Sequence, residues 1–309
     1  MSWNPIVVGV DASPEAAWAA ALGADLAQMA GTSCQLAHGT REVVSALALG
    51  ELPERAEEFT AAQIAQARER VLHGLWGVVP TALLENVIIR AGRPAVVLRD
   101  VVGEIGAELV ILGGKHHSAL GRWLAGSTGL DVARTTEVPL LVTGRGRAPI
   151  HSILVAVDAS AAAGPTIAAA ERFADLLSAR LRVVSVLEPL PVVPTAPSYH
   201  TAEYYNVLEE QVTQHVWPLV KTRGAERFVR YGMPVELIMQ EATAWEADLV
   251  VVGSHGKGWV DRMLIGSVTE RMLNELPTSL LVVPAYAQVK RADPARGGTH
   301  RTTQAHALV

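Results

Sequence analysis

The sequence predicts an α/β protein with two tandem, doubly wound parallel sheets of five strands each. Two observations carry this prediction. Short apolar runs rich in β-branched residues alternate with longer stretches of helical periodicity, and the order of these segments occurs twice along the 309 residues. Strands that are apolar throughout and alternate with helices are typical of parallel sheets covered on both faces.

The second occurrence is a copy of the first. PIVVGVDASPEAAWAAALGADLA, from Pro5, matches SILVAVDASAAAGPTIAAAERFADLL, from Ser152. RAGRPAVVLRDVVGEIGAELVILGG, from Arg90, matches RYGMPVELIMQEATAWEADLVVVGS, from Arg230. Because the matches keep their order and differ mainly in the length of the segment between them, the chain is an internal duplication.

Each element of a copy has a local reason. The first strand (6–10 and 153–157) stops at Asp-Ala-Ser, which favours a helix start, and an Ala-rich helix follows. Gly-x-Pro then starts a later helix, at Gly92 and again at Gly232, because proline fits the first turn. The remaining predicted elements are second strands at 34–38 and 181–187, long helices at 54–75 and 201–221, third strands at 85–90 and 227–231, and fourth strands at 109–112 and 249–252. A glycine loop, a helix and a fifth strand close each copy.

These elements define the predicted domains, which are residues 1–146 and 149–286, followed by a polar tail at 287–309 that we expect to be disordered. The prolines of 188–198 predict a loop that stays outside the sheet, and residues 144–149 are the predicted linker.

Composition narrows the functional classes. The net charge of −5 argues against nucleic acid as the main partner. The single cysteine, Cys34, precludes an internal disulfide and suits a reducing compartment, where it is expected to fill core space. Neither a secretory leader nor an apolar run of about 20 residues is evident, so we expect a cytoplasmic protein without membrane contact.

The glycine loop of the second copy is the strongest functional motif. GSHGKGWVDRMLIGSVTE runs from Gly253 to Glu270 and spaces its residues as Gly253-x2-Gly256-x9-Gly266-Ser267. Glycines admit a close approach to the backbone, and a following helix directs its N–H groups at an anion. A purely structural interpretation stays open, because Ser267 and Glu270 have the spacing of a capping box.

Position in the fold favours a ligand. Asp11, Asp158 and both glycine loops follow strand ends, at the sheet edge where ligands bind in such folds. The chain lacks the Lys-Ser of a P-loop, and no G-x-G-x-x-G follows either first strand. A nucleotide site of another kind is therefore predicted.

The aspartate after strand one, together with this glycine spacing, resembles the ATP-binding signature of the universal stress protein family. The resemblance covers about residues 5–143 and 151–284 and is similar to the tandem-domain type of mycobacteria and other actinobacteria. It implies a fold of the adenine nucleotide alpha hydrolase-like, Rossmann-like kind. It also implies ATP, with Mg²⁺, as the ligand, although ADP or another nucleotide stays open.

The implied contacts follow the motif. Asp158 would meet the adenine or ribose end, and the backbone of Val186 would contact adenine. Gly253 and Gly256 would pass close to the ribose and phosphate, while Gly266, Ser267 and Val268 would surround the phosphates. In the first copy the matching residues are Asp11, Gly39, Gly113, His116, Gly126, Ser127 and Thr128. His116 departs from the family pattern, which has glycine there, so the first copy matches the pattern less completely than the second.

Three hypotheses follow. The resemblance implies a nucleotide-dependent regulator of stress adaptation or growth, whose ATP-bound and empty forms differ in surface. The second hypothesis is an enzyme, a slow ATPase or an autophosphorylating protein with Ser254, Ser267 or Thr269 as acceptor. The third is an assembly scaffold without nucleotide. The sequence favours the binder over the enzyme, assigns no catalytic residue, and gives His116-His117 no third metal ligand.

The apolar fifth strands, VPLLVT and SLLVVP, predict pairing between the two repeats, which would make the chain a pseudo-dimer related by a two-fold axis. The resemblance adds a homodimer of chains, and a protein partner is expected to read the signal.

Overall fold

The structure is a computed structural model that describes residues 3–40, 53–117, 122–124, 126–144, 149–189, 201–256, 265–275 and 278–285. The predicted disordered tail, most of the 188–198 loop and the centre of the linker lie outside these residues.

The first repeat contains seven strands and five helices within the described residues. In chain order they are β1 (Ile6–Gly9), α1 (Pro14–Ala30), β2 (Cys34–Thr40), α2 (Pro53–Leu75), α3 (Thr81–Glu85), β3 (Ile88–Ala91), α4 (Pro94–Ile105), β4 (Leu109–Gly113), β5 (Lys115–His117), β6 (Arg122–Leu124), α5 (Gly126–Thr135) and β7 (Leu140–Thr143).

The second repeat follows the same plan. Its described elements are β8 (Ser152–Ala156), α6 (Ala163–Leu177), β9 (Arg180–Leu187), α7 (Thr201–His215), a 3₁₀ turn (Trp217–Leu219), β10 (Glu226–Tyr231), α8 (Pro234–Ala244), β11 (Leu249–Gly253), α9 (Ser267–Asn274) and β12 (Ser279–Val283).

Ten of these strands form one sheet in the order β3-β2-β1-β4-β7-β12-β11-β8-β9-β10. Within each repeat neighbouring strands are parallel, for example Ile6 opposite Leu109 in the first and Leu249 opposite Ile153 in the second. The order reverses beside the first strand of each repeat, which is the predicted doubly wound topology. The fold prediction is confirmed.

The two repeats join through an antiparallel pairing of β7 with β12, in which Leu141 lies opposite Leu281. These two leucines hold equivalent positions in the repeats, so a pseudo-two-fold axis passes between them. At the end of this junction a Cβ atom on Gly144 would lie 2.9 Å from the backbone nitrogen of Ser279. The predicted pairing of the fifth strands is confirmed.

The sheet separates two apolar layers. Helices α1, α2, α6 and α7 cover one face, where Phe173 and Leu26 are fully buried, and α4, α5, α8 and α9 cover the other. Asp11 and Asp158 follow the carboxyl ends of β1 and β8, and Gly113 and Gly253, where the glycine loops begin, end β4 and β11 at the same edge of the sheet.

Two predicted boundaries were wrong. The long helix of the second repeat ends at His215 rather than near residue 221, because Pro218 has no N–H and forces a short 3₁₀ turn. The third strand of the first repeat begins at Ile88 rather than at residue 85, because Thr81–Glu85 forms a short helix. The side-chain Nδ2 of Asn86 closes this helix by donating to the Ala82 carbonyl over 2.9 Å.

None of the helices described in the structure is both long enough and apolar enough to cross a membrane.

Candidate functional site

The two aspartates after the first strands adopt the same local turn. The N–H of Ser160 donates to Asp158 Oδ1 over 3.2 Å, and the N–H of Ser13 donates to Asp11 Oδ1 over 2.9 Å. An aspartate that accepts from the residue two positions later forms an Asx turn, which fixes its side chain. Both carboxylates are thereby held at the carboxyl edge of the sheet.

The structure brings Asp158 against the second glycine of the loop. A Cβ atom on Gly256 would lie 2.9 Å from Asp158 Oδ2, closer than a side chain normally approaches a carboxylate oxygen. The positive-φ glycines of the described chain do not include Gly256, so the space it leaves, rather than an unusual backbone, explains glycine here. Asp158 and Gly256, both candidate site residues, therefore lie side by side.

The first glycine of each loop lies against the helix that follows strand one. In the first repeat, a Cβ atom on Gly113 would be 2.5 Å from the carbonyl carbon of Glu15 in α1. In the second, a Cβ atom on Gly253 would be 3.1 Å from the hydroxyl of Thr166 in α6. These glycines thus let strand and helix approach closely, a packing role beside the predicted ligand contact.

Helix α9 begins after Gly266, which is its N-cap residue and has extended backbone angles. The N–H of Gly266 donates to the Ser254 carbonyl over 2.8 Å, so this N–H is engaged within the loop. Ser267 is exposed and Val268 is half-buried in the first turn. Because Gly266 has no side chain, it cannot cap the N–H groups of that turn.

The predicted capping box is also wrong. Ser267 is the first residue of α9 rather than its cap, and Glu270 lies one position too far along for the reciprocal bond. Instead, Glu270 Oε1 accepts from Arg134 Nη2 of the first repeat over 3.2 Å. The structural interpretation of Ser267 as a cap therefore fails.

Polar side chains that the motif does not include brace this loop. The Ser254 hydroxyl accepts from the N–H of Ala285 over 3.2 Å and lies 2.8 Å from His255 Nδ1. The Thr269 hydroxyl donates to the Gly253 carbonyl over 2.7 Å. Ser254 and Thr269 are buried, which leaves Ser267 as the exposed hydroxyl among the three suggested phosphate acceptors.

Val186 and Gly39 occupy equivalent places near the ends of β9 and β2. The N–H of Val157 donates to the Val184 carbonyl over 3.0 Å, so the peptide groups of Val184 face β8. Along a strand these directions alternate, and Val186 therefore faces the same side, past the last residue of β8. Gly39 follows the same rule, because the N–H of Val10 donates to the Ala37 carbonyl over 2.9 Å.

The first repeat differs in its loop. His116 lies in β5 and pairs with Trp123 of β6, so the backbone that the family pattern would give to glycine is here part of an antiparallel hairpin. The helix after it, α5, begins with Gly126 and Ser127, and Thr128 is half-buried in its first turn. The sequence did not predict this hairpin.

An open surface depression of about 400 Å³ lies beside Ala12, the residue after Asp11. Its other lining residues are Glu69, Arg70, His73 and Gly74, all from α2. The site edge of the first repeat therefore has polar and charged neighbours that no motif indicated.

Across the described ranges, no three His, Cys, Asp or Glu side chains come together in a way that would hold a metal ion.

Comparison with known proteins agrees with the fold. The model of the Universal stress protein family matches residues 2–144 and 149–284. A universal stress protein of Mycolicibacterium smegmatis is 28% identical over 299 residues, which cover 90% of this chain and 96% of that protein. A shorter one from Thermus aquaticus is 32% identical over 133 residues, 43% of this chain and 97% of its own length.

Among solved structures, a universal stress protein from Archaeoglobus fulgidus superposes with a TM-score of 0.59 at 16% identity, covering 91% of this chain and 99% of that one. At this identity the likeness concerns the fold. Since the family model matches both repeats over most of their length, this chain belongs to the universal stress protein family.

Proposed function

We propose that the chain is an ATP-binding universal stress protein of the cytoplasm, acting as a nucleotide-dependent regulator in stress adaptation or growth control. One observation carries the proposal. Asp158 and Gly256, which lie far apart in sequence, meet at the carboxyl edge of the sheet with no room between them for a side chain. Gly266 closes the same loop, through its bond to Ser254.

The base end of the nucleotide would lie past the end of β8. There the peptide groups of Val186 face the open edge, and backbone N–H and C=O groups suit the hydrogen-bonding edge of a purine. The Asp158 carboxylate, fixed by Ser160, would accept from a ribose hydroxyl or from the base. This arrangement supports a nucleoside as the first part of the ligand.

The phosphates would lie at the start of α9. The first N–H groups of a helix have no partner inside the helix, and the helix dipole favours negative charge there. Ser267 and Val268 belong to this first turn, and the exposed Ser267 hydroxyl is a further donor. Because the Gly266 N–H already donates to the Ser254 carbonyl, Ser267 and Val268 would hold the phosphates.

Mg²⁺ would arrive with the triphosphate. The described residues offer no carboxylate cluster for it, and magnesium commonly keeps several waters beside phosphate oxygens. The bound ion would screen phosphate charge, while the protein would orient the nucleotide.

The first repeat supports a weaker site. It keeps Asp11, Gly39, Gly113 and the start of α5, but the hairpin at His116 replaces the second glycine. The bond between Asp11 Oδ1 and the Ser13 N–H shows that the aspartate turn survives this change. We therefore treat nucleotide binding by the first repeat as a proposal of its own, apart from binding by the second repeat.

The direct test is mass spectrometry of what the freshly purified, denatured protein releases. We expect ATP, at one or two molecules per chain, and unchanged phosphate content after hours of incubation. Steady phosphate release that Ser267→Ala abolishes would instead favour the enzyme. A chain that releases no nucleotide and shows no thermal shift with ATP and Mg²⁺ would be a scaffold, because ligand at 100 times its Kd should add about 2.7 kcal/mol.

Regulation requires that the two nucleotide states differ in surface. We propose that a protein partner reads this difference, and that chains associate as homodimers. Since β7 and β12 are consumed in the junction between repeats, such a dimer must use other surfaces than the fifth strands.

A further inference from the structure

Helix α9 contacts the first repeat close to the end that would hold phosphate. Arg134, in the last turn of α5, donates from Nη2 to Oε1 of Glu270 over 3.2 Å, across the junction between repeats. Glu270 lies three residues after Ser267, which is about 4.5 Å along the helix axis. The first repeat thus places a cation next to the phosphate end of the second repeat's proposed site.

The charge of Glu270 would oppose ligand binding if it were not neutralised. A carboxylate in the first turn stabilises a helix, but it also lies where phosphate charge would accumulate, and like charges at this distance repel. Arg134 offsets that charge. Both side chains are partly exposed, at 39% and 42%, so the pair is held in position yet remains within reach of solvent.

The pair has no counterpart on the other side of the pseudo-two-fold axis. The residues equivalent to Glu270 and Arg134 are Leu130 and Asn274, neither of which carries a charge. Strand β6, from the first repeat's glycine loop, also lies against α9. The Arg134–Glu270 ion pair is therefore asymmetric, because the first repeat supplies its cation and the helix at the proposed phosphate end of the second repeat supplies its carboxylate.

We propose that Arg134 is a positioning residue for the nucleotide of the second repeat, supplied by the first repeat, and that it sets affinity for the charged phosphates. This inference rests on the proposed function. It makes the second site a shared product of both repeats, and it gives the first repeat a role at that site whether or not it binds nucleotide itself.

The test is isothermal titration with ATP and with adenosine, in full-length protein carrying Asp11→Asn so that the second repeat is measured. Arg134→Gln should weaken ATP binding about threefold, the usual effect of a charge near a helix end. Adenosine binding should not change, because adenosine has no phosphate. Arg134→Lys keeps the charge and should match the parent, and Arg134→Gln with Glu270→Gln should return ATP affinity to the parent value.

Arg99→Gln is the matched control, since it removes an exposed arginine that pairs with Asp100 in α4. Unchanged ATP affinity in Arg134→Gln, or an equal loss for ATP and adenosine, would overturn the inference while leaving ATP binding intact. A parent that binds neither ligand would refute the proposed function, and the inference with it. The titration of the parent protein is done first, because it shows whether the proposed function fails before the Arg134 variants test the inference.

Discussion

Asp158 Oδ2 lies 2.9 Å from the position that a Cβ atom on Gly256 would take, although the two residues are 98 positions apart in the sequence. A carboxylate turned toward a glycine in this way leaves a gap that any side chain would close. The conformational cost of substitution is small, because the carboxylate ends a rotatable side chain and Gly256 is not among the positive-φ glycines described. The pair therefore allows folding and ligand binding to be tested apart.

We expect Gly256→Ala to fold normally and to weaken ATP binding about tenfold, which corresponds to 1.4 kcal/mol. The added methyl group displaces the Asp158 carboxylate from the site. Gly164→Ala is the matched control, since a Cβ atom there meets nothing within 4 Å. Titration calorimetry and thermal denaturation of both variants check the prediction, and equal ATP affinities in the two would contradict it.

Asp158→Asn should lower the number of ATP molecules bound per chain by one. The amide oxygen of asparagine still accepts from the Ser160 N–H, so the turn and the melting temperature should be retained. The second carboxylate oxygen becomes an NH2 group, which only donates, so the acceptor for ribose or base is lost. Equilibrium dialysis measures the stoichiometry, and Asp11→Asn, the equivalent change in the first repeat, reports on the other site. Unchanged stoichiometry in Asp158→Asn would remove this residue from the proposed site.

Equivalent glycines should differ in their tolerance of alanine. A Cβ atom on Gly113 would lie 2.5 Å from backbone atoms of Glu15, whereas on Gly253 it meets a Thr166 hydroxyl at 3.1 Å. Backbone cannot move aside as a side chain can, so Gly113→Ala should cost about 3 kcal/mol and Gly253→Ala about 1 kcal/mol. Urea denaturation gives both values. Gly103→Ala, in open space on α4, controls for helix propensity, and similar losses at Gly113 and Gly253 would contradict the packing argument.

Glu241, in α8, forms ion pairs with two arginines of the second repeat. Its carboxylate accepts from Arg182 at 2.7 Å and from Arg230 at 3.0 Å, with 10% of the side chain exposed. Glu241→Ala should destabilise the protein by about 2 kcal/mol, because it leaves the half-buried Arg182 with fewer partners. Chemical denaturation measures the change.

The control for that variant is Glu104→Ala, which breaks the exposed pair with Arg90. The Arg90 hydrogen bond lowers the pKa of Glu104, but both side chains of this pair are exposed to solvent, so the denaturation midpoint should not move. A larger effect at Glu104 than at Glu241 would show that burial does not decide the strength of these pairs.

Burial raises the pKa of the Cys34 thiol from its usual 9.0 to about 12. At pH 8 the folded protein should therefore react with iodoacetamide roughly a hundredfold more slowly than the urea-unfolded chain. Because the folded pKa is the higher one, the associated stability is complete below pH 9.0 and declines as the pH rises toward 12. Equal labelling rates in the two states would contradict the half-buried position of Cys34.

The sequence predicted the sheet well because its strands are continuous apolar runs with turn residues at their ends. Pairing of the fifth strands followed from the same runs. The features that it missed are short segments whose local structure differs from the pattern of the residues around them. Pro218 was visible in the sequence, yet the helical pattern around it concealed the break. The turn at Thr81–Glu85 was missed because five residues are too few for a periodic signal.

At the candidate site, the spacing of the motif indicated which residues to consider but not how their backbone groups would be used. Ser267 and Glu270 fit a capping box in sequence, whereas the backbone angles of Gly266 make it the cap. The bond from the Gly266 N–H to Ser254 joins residues on opposite sides of the loop, and no local pattern indicates it. Contacts between repeats, such as Arg134 with Glu270, are invisible until the two halves are placed together.

The leucine pair at the centre of the sheet has a consequence for how the halves of this chain diverge. Because each half has its neighbour covalently attached, their association does not depend on concentration. One half can then carry a histidine, His116, where the resemblance expects a glycine, without losing its place in the assembly. Tethering relaxes the demand that both copies remain competent, and it frees one of them to become a specialised support for the other.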